Sequence, residues 1–241
     1  AWLSIAAVFL SVAFRMRPSK NQRADSSPES AQGARGDAET LARIAGGLWE
    51  FWYGRGHLTE GRIWLTEALN HRERISPAMQ VELLLGAGAL AHAQGESLLA
   101  QQYLMNALAT ARQADDKSGL AMALCLLAIG ARDQGDYPRA IALFEESLGI
   151  ARAIGDAWKT TLALNSCAVL YQRQGEHERA VRLLKESADL ARSLGDQWGT
   201  AQAVSNMAHL AHRQGHYNEA ISLYQEGAHL RRQLGDRLGE A

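Results

Sequence analysis

Apolar residues recur along this chain every three or four positions, and the arrangement then repeats every 40 residues. Between 120 and 134, "LAMALCLLAIGARDQ", Leu120, Leu124, Leu127, Ala128 and Ala131 fall at i, i+4, i+7, i+8 and i+11. Between 138 and 151, "PRAIALFEESLGIA", Ala140, Phe144, Ser147, Leu148 and Ala151 do the same. One apolar stripe per turn predicts an amphipathic helix in each stretch. Gly135 between them supplies the left-handed residue that closes the first helix. Pro138 sits near the first turn of the second, where its missing N–H costs nothing. Gly155 then closes that helix, and Asp156 stands where it can cap the next.

Four series keep this register. Gly95, Gly135, Gly175 and Gly215 are spaced by 40, as are Ala100, Ala140, Ala180 and Ala220. Gly155-Asp156, Gly195-Asp196 and Gly235-Asp236 repeat likewise, with Asp115-Asp116 at the matching earlier place. Trp158, Trp198 and Leu238 form the fourth. A fixed period of this length signals stacked repeats. One helical hairpin cannot bury its own apolar face, and stacking buries it at roughly 25 cal/mol per Å². Gly88, Ala128, Ala168 and Ala208 are small enough to let the paired helices approach closely. The expected fold is all-α, a right-handed α-solenoid of helix-turn-helix repeats at about 37–76, 77–116, 117–156, 157–196 and 197–236, with a sixth starting at 237.

Composition narrows the function. The 241 residues are 47% hydrophobic and 21% charged, with net charge −1. That balance gives no bulk attraction to nucleic acid or to an anionic membrane. Cys125 and Cys167 are too few for a disulfide framework or a four-cysteine zinc site, so a reducing cytoplasm is expected. The chain starts without Met and stops inside the pattern, which reads as a fragment. Residues 1–14, "AWLSIAAVFLSVAF", are apolar but short of the ~20 needed to span a bilayer. They read as the end of an upstream helix, as a truncated span with Arg15, Arg17, Lys20 and Arg23 on the cytosolic side, or as corrupted text. Residues 15–36 are polar and Pro/Ser-rich and read as a disordered linker.

The order Leu164, Cys167, Ala168, Tyr171, Gly175, Ala180, Leu184, Ser187 resembles the tetratricopeptide repeat, as does Val204, Met207, Ala208, Ala211, Gly215, Ala220, Tyr224, Gly227. The usual unit is about 34 residues. This one is longer, with a Gly-Asp turn in place of the usual Pro. The variant is similar to the C-terminal repeats of large LuxR-type bacterial transcription regulators, the maltose-regulon activator among them. It also resembles repeats of antibiotic regulatory proteins, of the Leu-Gly-Asn spindle adaptor and of kinesin light chain. The aromatic-rich "GLWEFWYGRGHLTEGRIWLTEAL" at 47–69 resembles the first repeat of the bacterial group, with Gly56 and Gly61 one residue short of the register.

That resemblance implies a concave groove lined by the first helix of each hairpin. Its facing positions are Glu82, Leu85, Ala89 and His92, then Met122, Cys125, Ile129, Arg132 and Asp133. They continue through Asn165, Val169, Gln172 and Arg173 to Gln202, Ser205, His209, His212 and Arg213. Asn165 stands where related grooves hold a peptide backbone or carboxylate. Arg132, Arg173 and Arg213 would form a basic ladder for acidic groups. The implied occupant is a protein or peptide segment, or a small effector. No direct nucleic-acid contact is expected, and residues 1–14 are the one route to a membrane. The function expected is the sensor or interaction arm of a multidomain regulator, with a free-standing or membrane-tethered scaffold as the alternative.

Other constellations read as architecture. Gly86-x-Gly88-x-x-Ala91 fits a relaxed dinucleotide fingerprint but lies inside a helix rather than after a strand. His209, His212 and His216 lack a completing carboxylate or thiolate for a metal. Trp49, Trp52, Tyr53 and Trp64 are expected in the core of the first repeat, and Trp158 and Trp198 at repeat junctions. No P-loop, Ser-His-Asp set or paired carboxylates stand out, so no catalytic residue, cofactor or metal is expected.

Overall fold

A computed structural model describes residues 28–233. The apolar segment 1–14, the polar residues up to 27, and the Gly235-Asp236 and Leu238 positions of a sixth hairpin lie outside the described residues. Among those described there are ten α-helices, one 3-10 turn and no strand. The helices are α1 (Pro28–Arg55), α2 (Leu58–Leu69), α3 (Pro77–Ala93), α4 (Ser97–Gln113), α5 (Lys117–Asp133), α6 (Tyr137–Ala153), α7 (Ala157–Arg173), α8 (His177–Ser193), α9 (Gln197–Arg213) and α10 (Tyr217–Gln233). The 3-10 turn covers Arg72–Arg74. The chain divides into two compact units, residues 1–126 and 127–241.

The connection from α2 to α3 runs through the 3-10 turn and the Ser76 cap, but from α4 onward each second helix passes to the next first helix by one turn. Gly155 has φ of 69°, and the Asp156 N–H reaches back to Ala151 O at 2.9 Å. This left-handed closure satisfies a carbonyl that the helix end leaves open. The hairpin turns at Gly95, Gly135, Gly175 and Gly215 close in the same way. Asp115 occupies the matching position without Gly, holds φ at 51°, and keeps the Asp116-to-Ala111 bond at 2.9 Å. Asp156 and Asp196 then cap α7 and α9, each accepting at 2.9 Å from the N–H three residues on.

In the first unit the core gathers Leu41, Trp52, Leu65, Leu83 and Leu90, with Trp49 and Trp64 packed against it. Gly88 lets α3 meet α4: a β-carbon there would lie 2.7 Å from the Leu104 side chain. Gly86 is pressed equally against Trp49. The glycines of the dinucleotide-like motif are therefore contact points between helices. Gly61 does the same work against Trp52 and Leu90.

The second unit buries one residue series per hairpin: Ala140, Phe144, Ser147 and Ala151 on α6, and Ala180, Leu184, Ser187 and Ala191 on α8. Ala163, Leu164, Cys167 and Ala168 face them from α7. The Ser187 hydroxyl donates to Thr161 O, so the polar member of the stripe is satisfied across the hairpin.

Three expectations need correction. Residues 28–36 are helical rather than linker. Glu29, Ala31, Gln32, Ala34 and Arg35 are strong helix formers that extend α1 ahead of its buried face. Tyr53 is exposed and leaves the first-repeat core to Trp49, Trp52 and Trp64. Trp158 and Trp198 are exposed, because they sit second in their helices, ahead of the first buried residues, Thr160 and Gly199.

Candidate functional site

The resemblance-implied positions divide between the two units. In the first, Glu82 is exposed, His92 is half-buried, and Met122 is buried together with Leu85, Ala89 and Cys125. Those apolar positions thus serve packing more than display. The Glu82 carboxyl lies against α1, where a β-carbon at Gly46 would come within 2.9 Å of it. Although the residue as a whole is exposed, desolvation of its carboxyl against α1, followed by the charge of Glu50, raises its pKa.

In the second unit α7 and α9 are in direct contact and present matching positions. Gln202, Ser205, His209, His212 and Arg213 on α9 stand 40 residues after Leu162, Asn165, Val169, Gln172 and Arg173 on α7. Asn165 and Gln172 are each only 7% exposed, and half-buried Val169 lies between them on the same face. The Asn165 Oδ1 atom is buried with no hydrogen-bond partner. Such an acceptor costs free energy when nothing donates to it, about 1–3 kcal/mol. Ser205, its register mate, donates to Ala201 O at 2.7 Å and keeps its own lone pairs for an incoming donor.

The cations do not form the three-rung ladder that the sequence suggests. Arg132 is in register with Gln172 and His212, not with Arg173, and pairs with Asp133 at 2.7 Å. Arg173 and Arg213 do share a register. Arg173 is exposed, donates to the Tyr137 hydroxyl at 3.1 Å and has its guanidinium 5.8 Å from that ring. His209 shares a 2.9 Å hydrogen bond with the Tyr224 hydroxyl, and His212 meets the edge of Tyr217. His216 turns instead toward Glu219. Among the described residues no three His, Cys, Asp or Glu side chains are grouped to hold a metal ion.

Tyr137, Tyr217 and Tyr224 are the residues that sequence reasoning missed. Tyr137 and Tyr217 each follow a "QG-x" turn at a spacing of two periods, a signal visible in the text. Tyr137 meets Arg173, Tyr217 meets His212 and Tyr224 meets His209. Behind this face, Tyr171 donates to Glu145 at 2.5 Å and Arg179 reaches the same oxygen at 2.7 Å. The Arg179 guanidinium lies 3.9 Å from the Tyr171 ring centre. Burial, then Glu145, pushes the Cys167 thiol up to about 12, so it remains a protonated packing residue.

The tetratricopeptide repeat family model matches residues 80–153 and 160–233, more than half of the chain. The chain belongs to the tetratricopeptide repeat family. Solved tetratricopeptide-like folds resemble it over nearly its full length. A Rap protein complexed with Competence and Sporulation Factor superposes with a TM-score of 0.75 at 14% identity, over 98% of this chain and 67% of that one. The Rap conjugation gene regulator of plasmid pLS20, in complex with the Phr* peptide, gives 0.72 at 14% identity, over 97% and 65%. BtubC (BKLC) from P. vanneervenii gives 0.70 at 16% identity, over 96% and 91%. At these identities the likeness is one of fold. No curated protein matches the sequence.

Proposed function

We propose that the chain is a binding module without catalysis of its own, and that α7 and α9 receive a protein or peptide segment in extended form. The observation that carries this reading is Asn165: a carboxamide oxygen, buried and unpartnered, on the face that tetratricopeptide repeats turn toward ligands. A peptide N–H would satisfy it. Arg173 and Arg213, with Gln172, Gln202, Ser205, His209 and His212 around them, supply donors and positive charge but no carboxylate, which suits an acidic segment. The Rap structures solved with Phr* peptide and with Competence and Sporulation Factor support the reading at the level of fold.

The wider context is the sensor arm of a multidomain bacterial transcription or signalling regulator of the LuxR-type group. Its support is the aromatic-rich first hairpin, built on Trp49, Trp52 and Trp64, and the Gly-Asp turn. Ligand occupancy would then be passed to an attached domain. An array of acidic peptides probed with the native chain and with Arg173→Glu/Arg213→Glu tests the site. Binding that survives both changes at moderate salt rules out the cationic part of the reading.

A further inference from the structure

Along the second helices, arginine and glutamate pair from one hairpin to the next at a fixed spacing. Arg152 meets Glu186 between α6 and α8, and Arg192 meets Glu226 at 2.9 Å between α8 and α10. Each pair spans 34 residues, and the two pairs stand 40 apart. The sequence keeps the same two residue types at Arg112 and Glu146. In the first unit the step falls on Arg72 and Asn106, again 34 apart, and the carboxylate is missing.

The local backbone differs at the same step. α2 has 12 residues where α4 has 17, so the chain reaches α3 through the 3-10 turn that begins at Arg72. Gln80 on α3 holds this turn, donating to Arg72 O at 2.8 Å and to Ile75 O at 3.3 Å. Arg72 and Asn106 line one cleft of about 420 Å³ between α2 and α4. Leu84 and Tyr103 give it an apolar part, and Thr66, Asn70, Thr110 and Gln113 add hydroxyls and carboxamides. No Asp or Glu lines it. Glu67 nearby is engaged by Asn70 Nδ2 at 3.4 Å and by His71 at 3.9 Å, and Glu73 lines the adjoining cleft. Among the described residues the Arg72 side chain has no hydrogen bond or ion pair.

We infer that this cleft binds a small organic carboxylate, which stands opposite Arg72 as Glu186 and Glu226 stand opposite Arg152 and Arg192. A guanidinium presents a planar fork that matches the two oxygens of a carboxylate. One cation among neutral donors suits that single charge better than a phosphate group, which brings about two. Asn70, Asn106 and Gln113 can hydrogen-bond the polar body of the ligand, while Leu84 and Tyr103 meet its carbon part. The volume falls within the range of about 300–1,000 Å³ found for small-molecule clefts. The site is built wholly from the first unit and shares no residue with the α7/α9 face.

The test is a titration of the full chain, labelled with nitrogen-15, with acetate, glutarate, citrate and L-glutamate. The signals read are the Arg72 Nε–H and the side-chain amides of Asn70 and Asn106. They are local to the cleft, so a carboxylate captured by Arg173 or Arg213 does not move them. At least one of the four probes shifts them saturably by ~10 mM, and glutaramide, the neutral counterpart of glutarate, does not. Arg72→Gln weakens the binding roughly tenfold or more. Asn106→Glu does the same in a folded chain, because the protein then supplies its own carboxylate to Arg72. Absence of saturation with all four probes overturns the proposal, as does equal binding of glutaramide. Affinity that survives Asn106→Glu or Arg72→Gln overturns it too, and so does inorganic phosphate binding more tightly than every carboxylate. Shifts produced only by a glutamate held within a peptide would assign the place to a partner's side chain and overturn the small-molecule occupant.

Discussion

Tyr171 and Glu145 are joined by a 2.5 Å hydrogen bond from the phenol of one hairpin's first helix to the carboxylate of the preceding hairpin's second helix. Arg179 closes the set from the far side of the turn. Tyr171 thereby links three helices of the second unit. Tyr171→Phe keeps the ring and the guanidinium contact but removes this charge-assisted bond. It is expected to cost about 1.5–3 kcal/mol, read as a lower denaturation midpoint with unchanged slope.

The same tyrosine predicts an alkaline limit. Burial, and then its bond to Glu145, raises the Tyr171 pKa above the ordinary value. The folded state therefore holds this proton more tightly than the unfolded chain does. The stabilisation is fully present below a pH of about 10 and is lost as pH rises beyond it. Urea unfolding at neutral pH and above pH 10 should show a loss in the native chain that Tyr171→Phe shows less of.

At the other end of the scale, burial pushes the Asp156 carboxyl up, but the hydrogen bonds and charge of Lys159 outweigh it and its pKa is lowered. Its contribution is present above the ordinary aspartate range and is lost as pH falls through the folded value. Asp156→Ala should cost about 1 kcal/mol at neutral pH, while Asp156→Asn, which can still cap, should cost less. Thermal melts at neutral and acidic pH check both the size and the sign.

How much was legible in the text follows the physics. Helix existence, the turn glycines and the capping aspartates were readable because each depends on local backbone geometry. The close approach at Gly88 was readable because a spacing of 40 put small residues opposite one another. Exposure was not readable in the same way. Trp158 and Trp198 follow the repeat register, yet whether a side chain two residues into a helix is covered depends on the neighbouring turn. The three-arginine ladder failed for a related reason: Arg132 shares the chemistry of Arg173 and Arg213 but not their register. The Asn165 orphan could be suspected from resemblance, but its lack of a donor is a property of packing in three dimensions.

The small-residue series can be tested by filling it. Ala180 is fully buried on α8. Ala180→Leu overpacks the hairpin and is expected to cost ~1–3 kcal/mol. An unchanged melting temperature would contradict the register.

Asp115 offers the opposite sign. It holds a left-handed φ that glycine adopts freely at six matching turns. Asp115→Gly should leave stability equal or raise it by up to about 1 kcal/mol, whereas Gly135→Ala should lower it by about 1–2 kcal/mol. Paired denaturation curves decide this.

The most direct measurement is the binding of an acidic extended peptide, selected on the native chain, to Asn165→Ala, with the stability of both proteins measured alongside. The account predicts peptide affinity reduced tenfold or more while the melting temperature holds or rises, since an unpaired buried acceptor has been removed. Unchanged affinity would contradict it. So would a large fall in stability, which would make Asn165 a packing residue rather than one held ready for a ligand.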